Sequence, residues 1–390
     1  MLNMALALAL TPELTFLIGL IAFWVILYLI ATVLHLGKHG LDVKPGYFMY
    51  RSDKLNSSID RIAKKKPFLW TILANIGVAL SFGLMAFSLY FLINNLVQFS
   101  QVGQISYVAP VVPGLTLSLI WLPFFFFAAA VVILPHEFAH GIVSRLEDIP
   151  VLSTGVFAFL VFFGAFVEPD EKAFEKTSLI GRLRMLSVGS ATNLVTAILT
   201  TLLLLGLFAP PTGILIHETI PGGPVAQVGL GQWDVVQAIN GTKITSYTAF
   251  YSYMANVTPG EKLTLTALHN NHVENVTITT QSAPDNSSRP IIGVQSSWAS
   301  YQPNRLGLDQ YTGVNLYWTL FWIYLIALSV AIFNMLPLYP FDGERVLYYP
   351  LERLVKKRKR ELRIALSAFT LGLFALNIII SLWRYGLFSI

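Results

Sequence analysis

The chain has 390 residues, of which 55% are hydrophobic and only 12% are charged. An average soluble domain has about 25% charged residues, so this composition excludes an ordinary soluble protein and favours a membrane protein. The chain has no cysteine and a formal net charge of +5. The absence of cysteine excludes disulfides and thiolate metal ligands. The basic residues cluster beside apolar segments, which indicates membrane orientation rather than nucleic-acid binding.

Six apolar segments are long enough to cross a lipid bilayer as helices. The first begins after an acidic residue and is too long for the core of a signal peptide, so we interpret it as a permanent span. We therefore expect a polytopic α-helical membrane protein with about six transmembrane helices. In chain order the segments lie at about 14–36, 68–97, 115–144, 186–208, 314–338 and 364–388.

The connections between these spans alternate in positive charge. Lys and Arg number eight in 37–67, five in 145–185 and eight in 339–363, against none in 98–114 and four in 209–313. Basic connections are retained on the cytoplasmic side of a cell membrane. Both termini and residues 209–313 are therefore predicted to lie outside.

Residues 151–167, VLSTGVFAFLVFFGAFV, form an uncharged segment that is short for a span. The segment is rich in Val and Phe and is interrupted by Gly155 and Gly164. This pattern favours a re-entrant or interfacial β-hairpin, which is tolerated at membrane depth when the protein itself satisfies the backbone. A short helix that dips into the interface is the alternative.

Residues 213–297 are polar and contain alternating Thr and Val, with an Asn-Gly turn signal in AINGTKI. They predict a small β-rich extramembrane domain. The stretch PGGPVAQVGLGQWDVVQAINGTKI, residues 221–244, resembles the signature of PDZ domains attached to bacterial and archaeal membrane proteases. Trp233 stands where that pattern usually has Gly. The resemblance implies a possible peptide ligand, and a domain that only spaces or shields is the alternative.

These features divide the chain into four regions. They are an N-terminal membrane region with two spans (1–113), a region with the third span, the hairpin and the fourth span (114–212), the PDZ-like domain (213–297), and a C-terminal membrane region (298–390).

The third span carries two histidines and a glutamate in VVILPHEFAHGIV, residues 131–143. Residues four apart share one face of a helix, so His136 and His140 can bind the same ion. Glu137 lies about 100° round the helix, beside that ion, as a general base must. Ionisable side chains at membrane depth are costly, and a metal site explains all three better than mutual pairing does.

A catalytic zinc ion takes three protein ligands and leaves one position open. Candidates for the third ligand at a similar depth are Glu168, Asp170 and Asp342, whereas His217 is expected on the opposite side. Asp342 follows the fifth span in FNMLPLYPFDGERV, residues 333–346. That span runs in the same direction as the third, so both motifs reach the cytoplasmic end. The residues alone leave Glu168 open, because it follows the hairpin and can fold back.

HEFAH in one span and NMLPLYPFDG in a later one, separated by a PDZ-like insertion, resemble the site-2 protease family of intramembrane zinc metalloproteases. The resemblance covers roughly 115–350. It implies that His136, His140 and Asp342 bind one zinc ion per chain, and that Glu137 is the catalytic residue.

Two asparagines match the same family. Asn334 corresponds to the conserved Asn ahead of the family's Asp. Asn193, in GSATN, is a weaker match to the family's Gly-Pro-x-x-Asn, because Ser190 replaces the Pro. Both are candidates for substrate contact or oxyanion stabilisation. Interhelical hydrogen bonding is the alternative for each.

The family resemblance implies regulated intramembrane proteolysis of transmembrane or signal-peptide-like segments, with the PDZ-like domain as a size filter or ligand sensor. The expected partners are a transmembrane protein substrate and the lipid bilayer. A membrane zinc protease of the prenyl-protein protease type shares HExxH but not the later Asp-Gly motif. A divalent-cation transporter would spread its ligands through the membrane depth, and a non-catalytic receptor would not need Glu137.

Overall fold

The computed structural model describes residues 12–112, 116–284, 286–294, 299–355 and 358–386, and within them the chain forms eleven α-helices and twelve strands. The helices are α1 (Pro12–Val33), α2 (Asn56–Lys65), α3 (Pro67–Val102), α4 (Leu122–Leu146), α5 (Glu171–Lys176), α6 (Leu179–Leu207), α7 (Pro224–Gln227), α8 (Tyr247–Met254), α9 (Gln310–Phe333), α10 (Asp342–Leu354) and α11 (Lys359–Tyr385). The strands are β1 (Leu41–Lys44), β2 (Tyr47–Ser52), β3 (Val151–Phe159), β4 (Phe162–Pro169), β5 (Gly213–Leu215), β6 (Val235–Ile239), β7 (Thr242–Lys243), β8 (Lys262–His269), β9 (His272–Thr279), β10 (Gln281–Ala283), β11 (Asn286–Ile291) and β12 (Ser300–Tyr301).

Six helices of the described chain are long and apolar enough to cross a membrane: α1, α3, α4, α6, α9 and α11. The predicted six-span architecture is confirmed. Helix α6 begins at Leu179 rather than near residue 186. Its first turns include Arg184, whose guanidinium donates to Glu147 at 2.9 Å and to Asn75 at 2.8 Å. A charge with such partners can extend a span that hydropathy alone would end.

The fifth span is shorter than its apolar run. Helix α9 ends at Phe333 instead of 338, and residues 334–341 form turns that lead into the separate helix α10. Pro337 and Pro340 have no backbone N–H and disfavour helix at the residue before them, which explains the interruption. Asp342 therefore lies in the first turn of a short helix rather than at the end of a span.

The chain divides into two compact units, Met1–Ile198 with Trp322–Ile390, and Leu199–Phe321. In the first unit, side chains of α3, α4, α6 and α10 share one apolar core. Ala139 of this core adjoins His140, and Val346 lies in the same helix as Asp342. The packing of the core therefore fixes the backbones that present both motifs.

A four-stranded antiparallel sheet in the first unit has the order β1-β2-β3-β4. Strands β3 and β4 confirm the predicted hairpin, whereas β1 and β2, from the basic connection 37–67, were not predicted. β2 pairs with β3 from Tyr47 opposite Phe159 to Ser52 opposite Thr154. β4 lies at the edge of this sheet, so no other strand of the described residues pairs with the outer side of its backbone.

The second unit contains the predicted β-rich domain. Its main sheet has the order β12-β5-β6-β8-β9 with β7 on β6, and β10 pairs separately with β11. The Asn240-Gly241 turn between β6 and β7 has positive φ at both residues, as the Asn-Gly signal predicts. Trp233 adopts φ 71°, a conformation that suits the Gly of the usual pattern, and its backbone N–H donates to Ile216 O at 2.6 Å.

Candidate metal centre and active site

Helix α4 presents both histidines of the HExxH motif on one buried face. His136 and His140 are 4% and 6% exposed, and their Nε2 atoms are 3.1 Å apart. The one-turn spacing directs both imidazoles to the same point, as predicted from the sequence.

Asp342 joins this pair from the first turn of α10. Its Oδ2 lies 3.6 Å from His136 Nε2 and 3.2 Å from His140 Nε2. Bonds of about 2.0 Å to a tetrahedral zinc ion place ligand atoms about 3.3 Å apart, so the three measured separations fit such an ion. Within the described residues, these three form the group that could hold a metal.

The second imidazole nitrogen of each histidine also has a partner. His140 Nδ1 donates to Met185 O at 2.6 Å, which leaves Nε2 available for a metal. His136 Nδ1 lies 2.9 Å from the side-chain amide of Asn193. Asn193 is fully buried, and its Oδ1 has no hydrogen-bond partner among the described residues. With that amide rotated by a half-turn, Oδ1 accepts the Nδ1–H of His136 and frees its Nε2 in the same way. Both tautomers then suit a metal.

Asn193→Ala tests this orienting contact. We expect zinc affinity to fall by about 10- to 100-fold, because loss of the partner releases the ring orientation and tautomer of His136. Asn95→Ala is a matched control, since Asn95 is also buried but bonds to Ser106 and Asn377. Chelator competition on both purified variants measures the difference. Equal zinc affinities in the two variants would contradict the orienting role.

Asn334 lies at the turn that brings Asp342 into place. Its Nδ2 donates to Asp342 Oδ2 at 2.8 Å and lies 3.0 Å from His136 Nε2. The N–H of Gly343 donates to Asn334 O at 2.8 Å. A Cβ at Gly343 would collide with the backbone of Met335, so the Asp-Gly sequence permits this close approach.

The other candidates for a third ligand have different partners. Glu168 in β4 accepts from Ser153 Oγ at 2.5 Å and forms an ion pair with Arg51 at 3.1 Å. Asp170 caps α5 by accepting from the N–H of Ala173 at 2.8 Å. His217, which the sequence did not make a candidate, lies in the second unit, and burial lowers the pKa of its imidazole. The structure therefore brings only Asp342, among these candidates, to the histidine pair.

Glu137 lies beside the outer edge of β4. Its Oε2 accepts from the N–H of Val167 at 3.2 Å. It also lines a mainly apolar cavity of about 310 Å³ between α4 and strands β2, β3 and β4. Because alternate residues of an antiparallel edge strand direct their backbone groups outward, the N–H groups of Ala165 and Phe163 face the same side as that of Val167. The carboxylate is thus placed next to an unpaired strand edge.

One residue important to the site was not singled out from the sequence. Gly189, on α6, faces both imidazoles, and a Cβ built there would overlap His140 Nε2 and the His136 ring. The only sequence signal is its position at the start of GSATN, where the family pattern also has Gly.

The family model described as Peptidase family M50 matches residues 124–378. An uncharacterized protein of Methanocaldococcus jannaschii is 27% identical over 348 residues, which cover 88% of this chain and 87% of that protein. A probable periplasmic serine endoprotease, DegP-like, of Halomonas elongata is 36% identical over 98 residues, which cover 25% of this chain and only 20% of that protein. The PDZ domain of an SdrC-like protein from Listeria monocytogenes, a solved structure, is 20% identical, covers 22% of this chain and 86% of that chain, and has a TM-score of 0.20.

Within the described residues, six helices long enough to cross a membrane, an HExxH helix and a His-His-Asp cluster, together with the family match, indicate a membrane metalloprotease of the site-2 type. The chain belongs to peptidase family M50, since the family model extends from the start of α4 into α11 and includes both motifs. The resemblance to site-2 proteases found in the sequence is confirmed.

Proposed function

We propose that the protein is an intramembrane zinc endopeptidase that cleaves transmembrane or signal-peptide-like segments by regulated intramembrane proteolysis. The supporting observation is the position of Glu137, which shares a helix with two members of the His-His-Asp cluster and contacts the outer edge of β4. One zinc ion held by His136, His140 and Asp342 would polarise the scissile carbonyl and lower the pKa of a water molecule.

Strand β4 offers a binding mode for an unwound substrate. A transmembrane segment is helical and its amides are already paired, so it must unwind before a peptide bond becomes accessible. An extended segment that pairs with the outward N–H groups of Phe163 and Ala165 would run toward Glu137. Pairing of the substrate with the edge of β4 thus replaces the hydrogen bonds that its helix has lost, and it places the substrate backbone beside Glu137.

Glu137 and Asn334 have separate roles in this scheme. Glu137 takes a proton from the attacking water on its carboxylate and transfers that proton to the leaving amide nitrogen. Asn334 donates one N–H to Asp342, and its second N–H faces His136 Nε2. A zinc ion that takes the lone pair of that nitrogen would free the second N–H to donate to the substrate carbonyl oxygen as negative charge develops. Asn193 acts through His136 instead.

Glu137→Gln tests the catalytic assignment. The amide keeps the size of the side chain and can still accept from Val167, so we expect the fold and zinc content to be retained. Cleavage of a transmembrane substrate should fall by at least about 100-fold, because a general base contributes roughly 10²–10⁴ in rate. Glu147→Gln is the control, since this carboxylate, at the end of α4, pairs with Arg184. Unaltered cleavage by Glu137→Gln would overturn the proposed function.

The basic connections further support an orientation with both termini and the PDZ-like domain outside, and with the active site toward the cytoplasmic side.

In the second unit, a cavity of about 410 Å³ lies between α8 and β11 and includes Phe250, Met254 and Arg289. An extended peptide of a substrate or regulator is the ligand we propose there.

Deletion of 213–297 tests whether the PDZ-like domain excludes untrimmed substrates. We expect the truncated enzyme to cleave full-length and pre-trimmed substrates at similar rates, because the filter is absent. The measurement is the ratio of the two cleavage rates, with zinc content as the control for an intact site. A ratio that matches the parent protein would contradict a filtering role.

The metal-competent residues favour a hydrolase over a cation transporter. In the described part of the chain, the ligand atoms of His136, His140 and Asp342 lie within 4.8 Å of one another. A cation transporter would instead have its ligands spread across the membrane. The second motif and the PDZ-like domain likewise favour the site-2 type over a prenyl-protein protease.

A further inference from the structure

Glu344 is a buried carboxylate that the proposed catalytic scheme does not use. It is 4% exposed and lies two residues after Asp342 in α10. Burial of a charged group is costly unless a partner of opposite charge satisfies it. Arg363, in the second turn of α11, supplies that partner.

Arg363 and Glu344 form a bidentate ion pair, a contact made at two points. Arg363 Nε donates to Glu344 Oε1 at 2.5 Å, and its terminal Nη2 donates to Oε2 at 2.8 Å. Two parallel hydrogen bonds fix both the separation and the mutual orientation of the planar groups. The Arg363 guanidinium also lies 5.1 Å from the centre of the Tyr348 ring, on the same short helix. Helix α10 is therefore joined to α11 at more than one point.

Asp342 is not part of a membrane span, so packing against neighbouring elements sets its position. Helix α10 has 13 residues and is connected to α9 by turns. Helix α11 is better supported, since Leu373 packs with Leu92 of α3 and with Leu336 of the turn segment. The spacing of two residues places Glu344 about 200° round α10 from Asp342. One side of the helix thus faces the histidines while the other faces α11.

We propose that Glu344 and Arg363 are positioning residues that hold α10 so that Asp342 reaches His136 and His140. The inference rests on the zinc site of the proposed function and adds a requirement that the HExxH and Asp-Gly motifs do not contain. Loss of the pair lets α10 shift or rotate, and the third ligand then lies farther from the other two. The effect appears in metal binding itself, before any substrate is present.

Glu344→Gln in the full-length purified protein tests this role. We expect zinc affinity, measured by chelator competition, to fall at least about tenfold, as typically follows loss of a group that orients a ligand. The absorption spectrum of the cobalt(II)-loaded variant should also change, since it reports the ligand set. Glu352→Gln is the matched control: Glu352 pairs with Lys359 at 2.7 Å across the same two helices, but both side chains are more exposed. This control should bind zinc as the parent does.

Arg363→Lys provides a second measurement if Glu344→Gln fails to fold. Lysine keeps the positive charge but cannot make the two-point contact, so its zinc affinity should also be weaker than that of Glu352→Gln. Parent-like zinc affinity in a folded Glu344→Gln or Arg363→Lys protein would overturn the positioning role. A parent protein that binds no zinc would overturn the proposed function and this inference together. These two failures are distinguished by the parent measurement alone.

Discussion

Replacement of Asp342 by alanine will remove zinc and abolish cleavage while the protein still inserts into the membrane. The change deletes one of three side chains whose ligand atoms lie within 4.8 Å of one another. Loss of a residue that orients a metal ligand typically weakens metal binding by about 10- to 100-fold. Loss of a ligand itself should weaken binding by more than that. Metal analysis after purification, followed by a cleavage assay with added zinc, measures both effects.

Glu168→Gln and Asp170→Asn are matched controls for this experiment. Both residues are acidic, both lie near the hairpin, and both were candidates for the third ligand from the sequence. Because Glu168 bonds to Ser153 and Asp170 caps α5, we expect their variants to retain zinc. If Asp342→Ala retains zinc and Glu168→Gln loses it, the third ligand is Glu168 rather than Asp342.

Replacement of Gly189 by alanine will also disrupt the metal centre, although no ligand is changed. The added Cβ would overlap His140 Nε2 and the His136 ring, so at least one imidazole must turn away or α6 must shift. We expect zinc affinity to fall more than about tenfold, in the range that loss of ligand orientation produces. Chelator competition and cobalt(II) absorption of the purified variant measure the loss.

Gly206→Ala is the control for helix propensity. Gly206 lies in the same helix, and a Cβ there meets nothing within 4 Å. Alanine in place of glycine inside a helix normally stabilises by roughly 0.5–1 kcal/mol, so helix propensity alone would not make either variant lose zinc. Only Gly189→Ala should lose zinc. If both variants bind zinc like the parent, the two imidazoles do not need the space at Gly189.

The local parts of the site could be predicted from the sequence because they depend on a single helix. His136, Glu137 and His140 follow from helical periodicity and from the cost of charges at membrane depth. The residues alone left Asp342 and Glu168 as alternatives, and the family resemblance favoured Asp342. The structure brings Asp342 to the histidines. The ligand roles themselves stay predictions that the zinc measurements above test.

Contacts between distant segments could not be predicted in the same way. The polar and charged residues of 37–67 obscure the alternation of β1 and β2, whose pairing becomes evident only beside β3. Pro340 and the acidic residues Asp342 and Glu344 are signals for a new helix at Asp342, but the apolar run of the fifth span obscured them. The partner of Glu344 is one of several basic residues near 358–363, and only the packing of α11 selects Arg363. Register and partner choice are set by tertiary structure in each case.

The pairing of β2 with β3 has a consequence for biosynthesis. Phe159 is synthesised roughly 110 residues after Tyr47, its partner in the sheet. At about 5–20 residues per second, β2 waits roughly 5–20 s for β3, and helices α3 and α4 emerge from the ribosome in that interval. The β1–β2 hairpin therefore has an unpaired edge throughout the insertion of two spans. In nascent chains that end before β3, the edge of β2 is open to pairing with a strand of another chain.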